Sequence, residues 1–140
     1  MKQKVTAIVA VIGIIIVTII GVNYYNNSTP EGRLKQFYKC ANSGDYMGFK
    51  SFYTSSIQQA LEEKDLNDMQ KTGMTREELY IYRDTQLIEH YASLKYEPVK
   101  TTYIDDNNVV IYQKVYRNNI CIGSYNQQMV KKNGTWYLLH

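Results

Sequence analysis

LKYEPVKTTYIDDNNVVIYQKVYRNNICIGSYNQQMVKKNGTWYLLH, residues 94–140, decides the fold. It reads as four strands, over 96–104, 109–117, 120–132 and 135–139, each rich in β-branched and aromatic residues. Three polar turns separate them: Asp105-Asp106-Asn107-Asn108, Asn118-Asn119 and Asn133-Gly134. Asn-Gly suits a two-residue turn that needs positive φ at both central positions, and Asn-Asn can follow it because Asn tolerates the left-handed region. The expected unit is a four-stranded antiparallel meander. One face of such a sheet must be covered.

The segment before it supplies the cover. Thr29-Pro30-Glu31 has the chemistry of a helix start: a cap, a Pro at the first position and an acid at the positive end of the dipole. Leu34, Phe37, Tyr38 and Ala41 then share one face, and Gly44 is the expected stop. Asp45 can cap a short second helix. Residues 57–66 read as another helical turn or two, exposed and charged, and 67–74 as a polar connection. Thr75 and Glu78 form a capping box. The helix it opens runs to about Leu94, with Tyr80, Leu87, Ile88 and Tyr91 as its apolar stripe. The fold class is therefore α+β, about three helices packed on a four-stranded antiparallel sheet, with a domain over 30–140.

Residues 5–22 carry no charge and no Pro. At 1.5 Å per residue the run spans about 27 Å, enough to cross the hydrocarbon core. Lys2 and Lys4 precede it, and no Lys or Arg follows before Arg33. The positive-inside rule puts a tail at 1–4 in the cytoplasm and the domain outside, beyond a linker at 23–29. No small-residue cleavage site and no nearby Cys follow the run, so an uncleaved single-pass anchor is expected. Of the net charge of +3, Lys2 and Lys4 supply two. The remainder is close to neutral and interspersed, which argues against a nucleic-acid partner.

No phosphate loop, nucleophile elbow or metal-ligand spacing occurs, so no catalytic motif, cofactor or metal is expected. Asp84 falls within the stripe of the last helix. There it could be a base in a partly apolar pocket, or it could pair with Arg83, Lys95 or solvent. His90 and His140 have no Cys, His, Asp or Glu partners at metal-ligand spacing, and His90 reads as a surface residue. Cys40 and Cys121 could form a disulfide pinning helix to sheet, or remain free thiols. The fourteen tyrosines are the unusual feature. Tyr103, Tyr112, Tyr116 and Tyr125 lie on the expected sheet and form a candidate ligand or partner surface.

Two stretches carry a family resemblance: LKQFYKCANSGDYMGFKSFYT (residues 34–54) and QQMVKKNGTWYLLH (residues 127–140). Together they resemble the nuclear transport factor 2-like (cystatin-like) superfamily. The resemblance implies a cone-like domain with three helices on a bent sheet and a pocket at the wide end. That superfamily includes isomerases and dehydratases, non-catalytic binding domains, and membrane-anchored bacterial scaffolds of type IV secretion and conjugation. No catalytic motif of the enzymes is present. The resemblance therefore implies a non-enzymatic binding or scaffold domain at the outer side of the membrane, with a protein partner or self-association. A small-ligand pocket is the alternative.

Overall fold

The computed structural model describes residues 28–140. The expected anchor at 5–22, its cytoplasmic tail and most of the linker lie outside the described residues. Among the described residues no helix is long and apolar enough to cross a membrane.

Among the described residues four helices precede four strands. They are α1 (Pro30–Ser43), α2 (Tyr46–Lys50), α3 (Ser55–Thr72), α4 (Arg76–Tyr91), β1 (Leu94–Tyr103), β2 (Asn108–Arg117), β3 (Ile120–Lys132) and β4 (Thr135–Leu138). The strands form one antiparallel sheet in the order β1-β2-β3-β4, the expected meander. Both two-residue turns take positive φ at both positions: 50° and 64° at Asn118 and Asn119, 50° and 80° at Asn133 and Gly134. At the first turn the Asp105 carboxylate accepts from the Asn107 amide at 2.7 Å, an Asx-type closure.

The helix ends follow the sequence signals. Thr29 caps α1 through Gly32 N at 3.1 Å, and the Asp45 side chain caps α2 through Gly48 N at 2.8 Å. Thr75 and Glu78 close the capping box on α4. Gly44 ends α1 in the left-handed region at φ 69°. It is also where α4 passes closest: a Cβ there would lie 2.8 Å from Ile88 Cδ1 and 2.9 Å from the Asp84 carbonyl oxygen. Only Gly allows both the turn and that approach.

Leu34, Phe37 and Ala41 of α1 bury against Val109, Ile111, Met129, Trp136 and Leu138 on the inner sheet face. Phe49, Phe52 and Leu87 complete the core. Arg33 ties α1 to β4, donating from Nε to the Trp136 carbonyl at 3.3 Å while its guanidinium lies 4.1 Å over the Phe52 ring. The link between α2 and α3 also joins the sheet. Thr54 N donates to Leu138 O at 3.2 Å, and Leu138 N donates to Phe52 O at 2.8 Å.

One expectation needs correction. Among the described residues the helices number four, because the stretch expected to be a short turn and then a polar connection is one eighteen-residue helix, α3. It shows no apolar stripe because apolar burial does not hold it. The one fully buried residue of α3 is Asp65, whose carboxylate accepts from the Tyr46 hydroxyl at 3.0 Å, Lys50 Nζ at 3.2 Å and Arg83 Nε at 3.4 Å. Glu62 receives Lys50 at 3.1 Å and Arg76 at 2.5 Å, and Asp68 pairs with Arg83. Burial alone would lower the Lys50 pKa. Hydrogen bonds with Tyr80, Glu62 and Asp65 outweigh it and hold the ammonium above its ordinary value. Lys50 in turn holds the Glu62 carboxyl below its ordinary value.

The sequence leaves the cysteines open between a disulfide and two free thiols. Cys40 and Cys121 are both free. The Cys40 thiol turns to the Asp45 carboxylate at 3.8 Å, beside the start of α2, and Cys121 is exposed near the β2–β3 turn with its thiol on Gly123 O at 3.6 Å.

Trp136 is buried, and its indole N–H donates to the Ser28 carbonyl at 3.2 Å. Trp136→Ala is expected to cost about 3–5 kcal/mol, as for large aromatic truncations in cores. Urea denaturation of both proteins measures it, and an unchanged midpoint would contradict this packing.

Candidate functional site

Alternation along a strand puts odd-numbered residues of β2 on the inner face: Val109 and Ile111 in the core, then Gln113 and Val115. Their β3 partners are Met129, Gln127, Tyr125 and Gly123. The core fills the Val109–Met129 end of this face. Toward the β2–β3 turn the helices leave a cavity of about 450 Å³.

Six aromatic rings wall it. Phe37 and Tyr38 come from α1, Tyr53 from the α2–α3 link, Tyr91 from α4, Tyr96 from β1 and Tyr125 from β3. Tyr38 and Tyr96 stack at 4.4 Å with their planes 10° apart. Phe37 meets Tyr53 edge-on at 5.8 Å and Tyr91 edge-on at 6.1 Å. A β-bulge shapes the far wall. The β2–β3 register shifts between Val115 and Tyr116, so Ile122 is the extra residue and joins the lining. Beside it Gly123 carries no side chain, and a Cβ there would meet nothing within 4 Å.

Among the described residues no Asp, Glu, Lys or Arg lines the cavity. Its polar groups are tyrosine hydroxyls, Ser124, Gln127, His140 and His90, whose ring lies edge-on to Tyr91 at 4.8 Å. Gln127 Nε2 donates to the His140 carbonyl at 2.8 Å, and the Tyr125 hydroxyl reaches the same oxygen at 3.5 Å. Gln113 is fully buried on the same face, opposite Tyr125. Neither amide atom has a well-formed hydrogen bond among the described residues, although the Tyr38 hydroxyl is close enough to feel it. Burial pushes the Tyr38 hydroxyl well above its ordinary value, partly offset by Gln113. Burial likewise raises Tyr53, and it raises Tyr91 to about 12.

The candidate residues read from the sequence separate in space. Asp84 does not line this cavity: its Oδ1 accepts from the Tyr46 amide at 3.0 Å, satisfying an orphan donor at the start of α2. Of the readings left open for Asp84, this contact makes it a structural acceptor, with the Tyr46 amide as its partner. The four tyrosines do not form one surface. Tyr125 is in the cavity. Tyr103 lies at the opposite end of the inner face, 6.3 Å from the Trp136 ring. Tyr112 and Tyr116 project from the other face, flanking Lys114, with Lys95 Nζ 5.9 Å over the Tyr116 ring. His90 is exposed, as expected, and its ring also lines the cavity. Among the described residues no cluster of His, Cys, Asp or Glu could hold a metal ion.

Tyr38, Tyr53, Tyr91 and Tyr96 were missed as wall residues, since each belongs to a different element. Tyr38 and Tyr91 were visible only as members of helical stripes.

No family model matches the chain, and no curated protein matches it. Among solved structures, a Campylobacter jejuni protein described as a "putative NTF2-like transpeptidase" is similar over 81% of this chain and 99% of that one. The TM-score is 0.47 and the identity 23%.

Two outcomes follow from this geometry. Asp84→Ala is expected to cost about 0.5–2 kcal/mol of stability, the range for a lost helix-start acceptor, and to leave cavity binding unchanged. Denaturant titration checks the first and ligand titration the second. A tyrosine raised above its ordinary value of 10.0 favours its neutral form in the fold. Its stabilising contribution is full below pH 10 and is lost as pH rises through the folded value, about 12 for Tyr91. Tyrosinate absorbance in the folded protein is expected to show a late-titrating class, with the unfolding midpoint falling over that window.

Proposed function

We propose that this is a membrane-tethered, extracytoplasmic binding domain of nuclear transport factor 2-like build. In this reading it takes a weakly charged ligand with a flat or ring-shaped apolar body into the aromatic cavity. One observation carries it: six aromatic rings around a space of about 450 Å³ with no charged side chain of Asp, Glu, Lys or Arg in the wall. That volume is within the range of small-molecule sites, and such sites are mostly apolar with a few orienting polar groups. Ring faces supply contact area, and the tyrosine hydroxyls, Gln127 and Ser124 supply the orienting donors and acceptors. The tether is the expectation for residues 5–22. Among the described residues no pair of carboxylates faces the space, and the reading is of binding.

A protein partner or self-association on the helix-free sheet face is the second reading. It is favoured by Tyr112, 36% exposed, and its strand neighbour Tyr116 flanking Lys114.

Gly123→Phe separates the two. The new ring fits open space and improves strand propensity, so the melting temperature is expected to hold. Titration with the neutral dye Nile red is expected to show saturable binding to the natural chain, weakened at least about tenfold in the variant, a loss of about 1.4 kcal/mol. Equal binding to both proteins would remove the cavity as the site.

A further inference from the structure

In the α3 network every anion belongs to α3 and every cation to the body. Glu62, Asp65 and Asp68 are spaced at i, i+3 and i+6, one face of one helix. Lys50 extends from α2, Arg76 and Arg83 from α4, with the hydroxyls of Tyr46 and Tyr80 between them. Lys50 Nζ lies 4.9 Å from the Tyr46 ring centre and 4.8 Å from that of Tyr80. The trough is therefore shaped for carboxylates on a helix.

Little else holds α3 in it. A groove of about 190 Å³ remains between Leu61 and Lys64 of α3 and Gln86, Leu87 and His90 of α4. Thr54 makes no side-chain cap bond at the start, and at the end Gly73, at φ 74°, has open space around it. The Gln58 amide donating to Tyr53 O at 2.7 Å is a further polar tie at the first turn. The outer pairs, Glu62–Arg76 and Asp68–Arg83, are partly exposed and are screened by salt, whereas the buried Asp65 contacts and the aromatic core are screened much less.

We propose that Lys50, Arg76 and Arg83 form a docking trough for an acidic helix, which α3 fills in cis as a displaceable strap. The partner that replaces it is a helix presenting carboxylates at three-residue spacing, the chemistry α3 itself shows. Apparent affinity for such a helix is reduced by the fraction of molecules in which the strap is closed.

The test uses the full chain and a labelled synthetic peptide with the sequence of residues 55–72. Glu62→Gln with Asp68→Asn, made in the protein, loosens the strap while keeping the buried Asp65. Fluorescence anisotropy is expected to show the peptide binding the double variant about tenfold more tightly than the natural chain. Binding should vanish at 1 M salt, where the Debye length is about 3 Å. A peptide with Gln and Asn at the three acidic positions should bind neither protein. Hydrogen exchange on the unmodified chain provides a readout free of mutation: α3 amides are expected to exchange faster as salt rises while those of β2 and β3 hold. Three results would overturn the proposal: equal affinity for both proteins, binding by the neutral peptide, or α3 and sheet amides responding to salt together. Dimerisation of the variant without peptide would instead assign the trough to α3 of a second copy and overturn the foreign helix.

Discussion

Phe37 is the ring around which the helices and the cavity are both set. It is almost fully buried and meets Tyr38, Phe49, Phe52, Tyr53 and Tyr91, with centroid separations from 4.9 Å to 6.1 Å. Those partners come from α1, α2, the link to α3, and α4. One side of the ring belongs to the closed core and the other to the cavity wall. The packing of an aromatic cluster at edge-on angles thus fixes how far α4 stands from the sheet, and that distance sets the size of the cavity. Gly44 acts from the other end of α1, where the absence of a Cβ lets α4 come close.

The domain combines two kinds of cohesion. Against the sheet, α1, α2 and α4 are held by apolar burial, which falls off little with salt. Against α2 and α4, α3 is held by paired charges, whose desolvation cost offsets most of their attraction. The first kind fixes one arrangement. The second fixes a pattern of charge, with the carboxylates of α3 facing the cations of α2 and α4.

Much of the fold was legible in the sequence because its signals are local. The turns at Asn118-Asn119 and Asn133-Gly134 are dictated by φ, the caps at Thr29, Asp45 and Thr75 by orphan amides, and the strands by alternation. The length of α3 was not legible, because a helix docked through Asp65 shows no apolar period to read. The site was harder still. Its walls come from six elements and links, and the bulge at Ile122 shifts the facing of residues in a way that alternation alone does not forecast. Asp84 has the composition of a functional residue and the position of a cap: one side chain in a polar–apolar setting reads the same either way until its donor is known.

The short bridge between Tyr53 and Leu138 has a bearing on solubility. By bonding to β4, the chain at Phe52–Thr54 screens what would otherwise be a bare strand margin. That leaves β1 as the unscreened rim. It is interrupted by Pro98 and a register break at Val99, and studded with Lys95, Glu97 and Lys100. A rim of this kind is a poor template for a neighbouring chain, so the described sheet resists zipping edge to edge into fibres.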